Sequence, residues 1–342
     1  RRSNVNGTAF FRADDGTSGR ELWRSDGTAA STTRVADIRS GLQGSTGIEV
    51  TAADGMAVLG STVFLAADDG QTGVELWTSD GTTPGTRLVA DLDVRTLGSN
   101  PNGLTDVAGT LFFTATTHPT GEELWKTDGT AAGTQLVRDI VLGTGDSFVR
   151  ELTPFGGLLI FQVSEPVNGT EIWQSDGTEA GTLVLKDIVP GPNGSVPRNF
   201  TMSGGTLFFV ASTSETGSEL WATDGSAPGT ALVADIQPGS NSSGLHEITD
   251  VGGTLMFAAS DPDAFFGSTD LWKSDGTAAG TVRVKDMEPT GAGALHLLTD
   301  VNGTLYFQGL EAATGIELWK SDGTAGGTVV VKDIQPLGSS FP

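Results

Sequence analysis

ELWRSDGT, residues 21–28, is the first copy of an octapeptide that returns six more times along the chain. The later copies are ELWTSDGT (75–82), ELWKTDGT (123–130), EIWQSDGT (171–178), ELWATDGS (219–226), DLWKSDGT (270–277) and ELWKSDGT (317–324). All seven tryptophans belong to this pattern, and they are separated by 54, 48, 48, 48, 51 and 47 residues. A period of this length is typical of a repeat architecture and not of unrelated domains in series.

The residues around the octapeptide predict four short strands in each repeat. In residues 103–142 the apolar runs are LTDV (104–107), TLFFTA (110–115), ELWKT (123–127) and TQLVRDI (134–140). Each run has the length of a strand, is rich in β-branched and aromatic residues, and is bounded by turn residues. No window keeps a helical period over the length that a helix needs. The pattern therefore predicts an all-β, seven-bladed β-propeller with four antiparallel strands per blade, formed as a single domain by residues 1–342.

Within the octapeptide, the Asp-Gly pair predicts a tight turn between the third and fourth strands of each blade. The Asp side chain can accept hydrogen bonds from N–H groups of its own turn, and the Gly supplies a positive φ. The recurring tryptophan has an equally structural interpretation, because a large aromatic repeated in every blade is typical of packing between adjacent blades.

Composition excludes several classes of protein. The chain of 342 residues carries 42 Asp and Glu against 19 Lys and Arg, which gives a formal net charge of −23. A negative charge of this size repels nucleic acid and anionic lipid. No apolar stretch approaches the roughly 20 residues of a membrane-spanning helix. We therefore expect neither a nucleic-acid partner nor membrane insertion. Cysteine is absent, which excludes disulfides and thiolate metal sites.

An extended form of the motif, ELWKSDGTAAGT-x-x-V-K-D-I, is almost complete at residues 270–286 and 317–334. It resembles the ELWxxDGT repeat family of bacterial secreted and cell-surface proteins. The resemblance implies a propeller-like, non-catalytic extracellular module and brings no established ligand or catalytic residues. The chain departs from the pattern at GGLLIF (156–161) and at Ser31, which stands where Gly133 stands in the third repeat.

A candidate ligand site lies at the starts of the first strands. In six repeats, the position four residues before the one equivalent to Asp106 is polar. The members of the site are Asp54, Asn102, Arg150, Arg198, His246 and His296. One interpretation is a rim that binds an anionic or hydroxyl-rich ligand, with the arginines as bidentate donors and the histidines tuning binding with pH. The other is that strand starts near solvent are simply polar.

Two weaker candidates lie in loops on the same predicted face. Phe265 and Phe266 could stack on a sugar or dock on a protein, or be buried against the disc. Acidic pairs offer hard oxygen ligands for calcium, although they lack the spacing of an EF-hand loop, and solvated turn residues are the alternative. These pairs are Asp14 with Asp15, Asp68 with Asp69, and Asp261 with Asp263.

Enzyme chemistry finds little support in the residues. The chain has three histidines, no cysteine and no G-x-S-x-G motif, so the usual nucleophile arrangements are nearly excluded. We therefore predict a non-catalytic binding, adhesion or structural scaffold of an extracellular or cell-surface bacterial protein. Its partner would be a protein or glycan on a cell surface or matrix, and the chain could serve as a module of a larger assembly. A multivalent carbohydrate-binding lectin and a channel-mouth glycosidase or lyase stay open as alternatives.

Overall fold

Seven four-stranded antiparallel sheets make up the computed structural model of the chain, and in each sheet the strands follow one another in chain order. The structure describes residues 3–45, 55–95, 97–260, 269–287, 295–311, 313–336 and 338–342. Within these ranges there is no helix, and so no helix that could cross a membrane. The all-β prediction is confirmed, with the number of sheets and of strands per sheet that a seven-bladed propeller requires.

Sheets 1 to 4 contain strands β1 to β16. Sheet 1 is formed by Ser3–Val5, Thr8–Asp14, Arg20–Ser25 and Thr33–Arg34. Sheet 2 is formed by Met56–Leu59, Thr62–Asp68, Val74–Ser79 and Arg87–Ala90. Sheet 3 is formed by Asn102–Val107, Thr110–Thr117, Gly121–Thr127 and Gln135–Arg138. Sheet 4 is formed by Arg150–Phe155, Leu158–Glu165, Gly169–Ser175 and Leu183–Lys186.

Sheets 5 to 7 contain strands β17 to β28. Sheet 5 is formed by Arg198–Ser203, Thr206–Thr213, Gly217–Thr223 and Ala231–Ala234. Sheet 6 is formed by His246–Val251, Thr254–Ala259, Asp270–Ser274 and Val282–Lys285. Sheet 7 is formed by Leu295–Val301, Thr304–Glu311, Gly315–Ser321 and Val329–Lys332.

The chain forms two compact units, Arg1–Val184 and Leu185–Pro342, with the boundary inside β16. The prediction of one domain over residues 1–342 therefore stays a prediction. Within each unit, the hydrophobic clusters lie between consecutive sheets. In the first unit Phe10 and Leu22 of sheet 1 pack with Leu65 and Trp77 of sheet 2, and in the second unit sheets 5 and 6 pack in the same way.

This packing confirms the structural role predicted for the tryptophans. Trp125, Trp173 and Trp319 each join the cluster that their own sheet makes with the preceding sheet. The second strand of each sheet supplies the opposing side chains, because alternate residues of a strand point to opposite faces. Burying an aromatic or aliphatic side chain of this kind contributes about 1.5–3 kcal/mol, so the clusters stabilise the neighbouring sheets within each unit.

The Asp-Gly turn also has the structure that the sequence predicts. In sheet 3, Asp128 Oδ1 accepts hydrogen bonds from the N–H of Thr130 at 2.9 Å and from its hydroxyl at 2.7 Å, and the same two bonds recur in all seven turns. These bonds hold the pKa of Asp128 below its ordinary value. A Cβ on Gly133 would lie 2.1 Å from the same Oδ1, which explains the glycine. In sheet 1, Ser31 occupies this place and donates its hydroxyl to Asp26.

A buried carboxylate at the first position of the octapeptide is the main structural feature that the sequence alone did not reveal. Glu21, Glu75, Glu123, Glu171, Glu219, Asp270 and Glu317 are all nearly or completely inaccessible to solvent. Glu219 is representative: its carboxylate accepts hydrogen bonds from the backbone N–H of Ile236 at 3.0 Å and of Ser243 at 2.9 Å. The first of these residues follows the fourth strand of the sheet, and the second precedes the first strand of the next. We call this arrangement the carboxylate clamp.

A serine 24 residues after the buried acid takes part in the clamp in the early repeats. Ser45, Ser99, Ser147, Ser195 and Ser243 occupy this position in the first five repeats. The hydroxyl of Ser99, for example, donates to Glu75 at 2.5 Å. In the sixth repeat the acid is the shorter Asp270 and the residue 24 positions later is Ala294, which lies outside the described residues. Asp270 accepts from the N–H of Met287 at 3.0 Å and forms an ion pair with Arg283 at 3.2 Å.

Burial changes the acidity of the clamp residues. Burial away from solvent raises the pKa of Glu123 and of Glu219 to about 7, although the hydrogen bonds from the loop oppose the shift. Burial also raises the pKa of Glu21, Glu75 and Asp270. A carboxylate is costly to bury unless several donors satisfy it, so the clamp loops and the acid depend on each other.

We predict that Glu219→Ala lowers the free energy of unfolding by about 3 kcal/mol, since buried N–H donors left without an acceptor cost about 1–3 kcal/mol each. Urea denaturation followed by tryptophan fluorescence measures the change. Glu179→Ala is the matched control, because Glu179 is exposed and the equivalent residue of the third repeat is Ala131. A Glu219→Ala protein as stable as this control would contradict the structural role of the clamp.

The raised pKa values predict a dependence of stability on pH. Because the folded state holds the protons of Glu123 and Glu219 up to pH of about 7, whereas the unfolded chain releases them near the ordinary value of about 4.3, stability falls as pH rises between these limits. The urea midpoint should therefore be higher at the acidic end of this window than at neutral pH.

The double variant Glu123→Gln with Glu219→Gln separates this effect from general charge repulsion, because it removes two titrating groups and leaves the remaining acidic residues in place. We expect a smaller pH slope of the urea midpoint in the variant. An unchanged slope would show that the clamp carboxyls do not titrate in this window.

Candidate functional site

The predicted site residues lie where the first strand of each sheet begins. Asn102, Arg150, Arg198 and His246 are the first residues of β9, β13, β17 and β21, and His296 is the second residue of β25. In sheets 3 to 6 each follows the loop that the clamp holds, three residues after the clamp serine or its equivalent. Five predicted residues lie outside the described part of the chain: Asp54, Asp261, Asp263, Phe265 and Phe266.

A β-bulge follows each of the five described positions. Arg150 pairs with Gln162 and Thr153 with Ile160, so that two residues of β13 oppose one residue of β14. The first bulged residue has a positive φ in every case: Gly103 at 64°, Glu151 at 59°, Asn199 at 59°, Glu247 at 55° and Leu297 at 59°. A bulge re-aims the neighbouring side chain, and a non-glycine residue in this conformation costs of order 1–3 kcal/mol. Backbone strain is thus concentrated beside the candidate residues.

In the first unit, the structure brings Asn102 and Arg150 together at one cleft. The cleft has a volume of about 320 Å³ and lies between β9 and β13, with Thr105, Thr114 and Thr153 among its other lining residues. Gly103 allows the close approach of the two strands, since a Cβ there would lie 3.3 Å from Leu152 Cδ1.

The guanidinium of Arg150 is held at the edge of this cleft. Its Nη1 forms an ion pair with Glu122 and donates to the carbonyl of Val149 at 2.7 Å. The side chain is about half exposed, at 48%. The cleft therefore combines an oriented, accessible cation with hydroxyl and amide groups, which suits a ligand rich in hydrogen-bonding groups.

In the second unit, the structure brings His246 and His296 together. Their ring centroids are 6.2 Å apart, with an interplanar angle of 46°. His246 Nδ1 lies 2.8 Å from the carbonyl oxygen of Gly244. Arg198 lies in the same unit at the start of sheet 5, where its Nη1 donates to the carbonyl of Val196 at 3.4 Å.

The acidic pairs predicted for calcium act as turn residues in sheets 1 and 2. Asp15 Oδ1 accepts from the N–H groups of Thr17 and Ser18, each at 2.8 Å, and these bonds lower its pKa. Asp69 caps the equivalent turn of sheet 2. Asp14 and Asp68 each accept an N–H from the glycine two residues later, and Asp68 also pairs with Arg39. In the part of the chain that the structure describes, no three His, Asp or Glu side chains gather as metal ligands.

Comparisons with known proteins find similarity in fold. No protein-family model and no curated protein sequence matches the chain. The chain is similar to a solved puromycin hydrolase, at 14% identity over 96% of this chain and 52% of the other, with a TM-score of 0.50. It is also similar to a structure from a study of two prolyl endopeptidases, at 14% identity over 96% of this chain and 49% of the other, with a TM-score of 0.53. At such identity the likeness shows the fold alone, and it agrees with a seven-bladed β-propeller.

The first of these solved proteins is a hydrolase and the second comes from a study of endopeptidases, and the chain spans about half of the length of each. This finding overturns the prediction of an adhesion or structural scaffold, together with its lectin and glycosidase or lyase alternatives. The prediction was wrong because it depended on sequence motifs, whereas the similarity to these enzymes lies in the arrangement of strands. The resemblance to the ELWxxDGT family, the extracellular location and the surface partner stay predictions.

Proposed function

We propose that this chain is a non-catalytic propeller domain that acts together with a peptidase. We propose further that it binds the peptide substrate of that peptidase at the Asn102–Arg150 cleft. The observation that carries the proposal is the likeness in fold over 96% of the chain to about half of a puromycin hydrolase and about half of a chain from a study of prolyl endopeptidases.

The residues of the cleft support a role in peptide binding. An extended peptide presents an amide N–H and a carbonyl at every residue, and a charged carboxylate at its end. Arg150 offers a cation for a carboxylate, while Asn102 and the cleft threonines offer donors and acceptors for the peptide backbone. Glu122 orients the guanidinium from the third strand of sheet 3, so that less freedom is lost when a ligand binds.

The chemistry of the chain supports a non-catalytic role. It has no cysteine and only three histidines. The described hydrogen bond of His246 joins it to a backbone carbonyl and not to a nucleophile. In the two prolyl endopeptidases, inter-domain dynamics has a role in catalysis and specificity. By analogy, this domain would contribute to the selection of peptides and not to their hydrolysis.

We predict that the purified chain binds short fluorescein-labelled peptides and does not hydrolyse them. Fluorescence anisotropy measures binding, and mass spectrometry of the same mixtures detects cleavage. Arg150→Ala should weaken binding by about tenfold, the equivalent of about 1.4 kcal/mol. Arg87→Ala is the matched control, because Arg87 is an exposed arginine on the outer strand β8.

Each outcome bears on a separate part of the proposal. Peptide cleavage by the chain alone would contradict a non-catalytic role. Absence of saturable binding would contradict peptide binding by this domain. Equal loss of affinity in the Arg150→Ala and Arg87→Ala variants would show that general charge, and not the cleft, attracts the peptide.

A further inference from the structure

The imidazole rings of His246 and His296 are near neighbours in the second unit. The two residues lie at the starts of the first strands of sheets 6 and 7, and their ring centroids are 6.2 Å apart. Two imidazoles bound to one tetrahedral metal ion have centroids about 5 Å apart, because each metal–nitrogen bond is about 2.0–2.1 Å long, so the two rings would have to approach each other by about 1 Å. We propose that His246 and His296 together bind one divalent transition-metal ion such as Zn²⁺.

The hydrogen bond of His246 fixes the nitrogen that would face the metal. Its Nδ1 lies 2.8 Å from the carbonyl oxygen of Gly244. A carbonyl oxygen can only accept, so Nδ1 carries the proton in this bond, and in the neutral ring the lone pair is on Nε2. Metal-binding histidines commonly donate their other N–H to a carbonyl in this way, which fixes the tautomer and the direction of the ring.

Side-chain bonds between the two strands hold the spacing of the rings. Glu247 Oε2 accepts from the N–H of Leu298 at 3.3 Å, and Thr249 Oγ1 donates to the carbonyl of the same leucine at 3.3 Å. Glu247 directly follows His246, and Leu298 lies two residues after His296. The strands that carry the two proposed ligands are therefore cross-linked beside them.

The surroundings favour a hydrated cation with two protein ligands. His296 is exposed and His246 half-buried, so water can complete the coordination of the ion. The chain carries a formal net charge of −23, which raises the local concentration of cations. Imidazole nitrogen suits Zn²⁺, Ni²⁺ and Cu²⁺ better than Ca²⁺ or Mg²⁺, which prefer oxygen ligands. This inference is independent of the proposed peptide-binding role.

Isothermal titration of the full chain with ZnCl₂ tests the site. We expect saturable binding of one ion, and we expect His246→Gln and His296→Gln each to weaken it by at least about tenfold. His118→Gln is the matched control: it removes an exposed histidine outside the pair and leaves the chain with the same number of histidines as the test variants.

A second measurement locates the ion. In NMR spectra of the imidazole nitrogens, Zn²⁺ should shift the Nε2 signal of His246 and a ring-nitrogen signal of His296, and leave those of His118 unchanged. Equal affinity of the His296→Gln and His118→Gln proteins would overturn the proposal, as would the absence of saturable binding to the unmodified chain. Matching melting temperatures of the variants would show that a loss of binding is not a loss of fold.

Discussion

Within each unit, the carboxylate clamp is the interaction on which the arrangement of a sheet and its successor depends. A glutamate on the third strand lies beneath the loop that leaves the fourth strand, and its oxygens accept backbone N–H groups of that loop, in the case of Glu219 from both of its ends. Water cannot replace these bonds in a fully buried position, so the loop has one favourable path. That path sets where the next sheet begins.

Other contacts between neighbouring sheets also recur at equivalent positions. Lys126 donates to the carbonyl of Gly177 at 2.7 Å in the first unit, and Lys273 donates to the carbonyl of Gly323 at 2.9 Å in the second. The turn glycine Gly129 approaches the ring of Phe64, where a Cβ would lie 3.0 Å away. Within each unit, neighbouring sheets thus interact through a small set of repeated contacts, as expected for a repeat protein.

The candidate sites occur where this regular scaffold becomes variable. The clamp serine is followed by a strand start, and that strand start is followed by a bulge with a positive φ. The repeated elements fix the backbone, while the side chain at the strand start differs between sheets: Asn102, Arg150, Arg198, His246 and His296. A rigid frame that carries different side chains at equivalent positions can build separate sites of different chemistry, here a polar cleft and a histidine pair.

The sequence by itself determined the all-β class, the four strands of each repeat, the Asp-Gly turn and the packing role of the tryptophans. These features depend on residues close together in the chain, where alternation and turn chemistry act directly. Only the tertiary structure decided that Glu219 bonds Ser243, that Asn102 and Arg150 share a cleft, and that the rings of His246 and His296 lie 6.2 Å apart. Those contacts join residues 24 to 50 positions apart, and their geometry is set by strand register, bulges and the path of buried loops. The likeness to peptidases also became visible only in three dimensions, because at 14% identity the arrangement of strands persists although the side chains have changed.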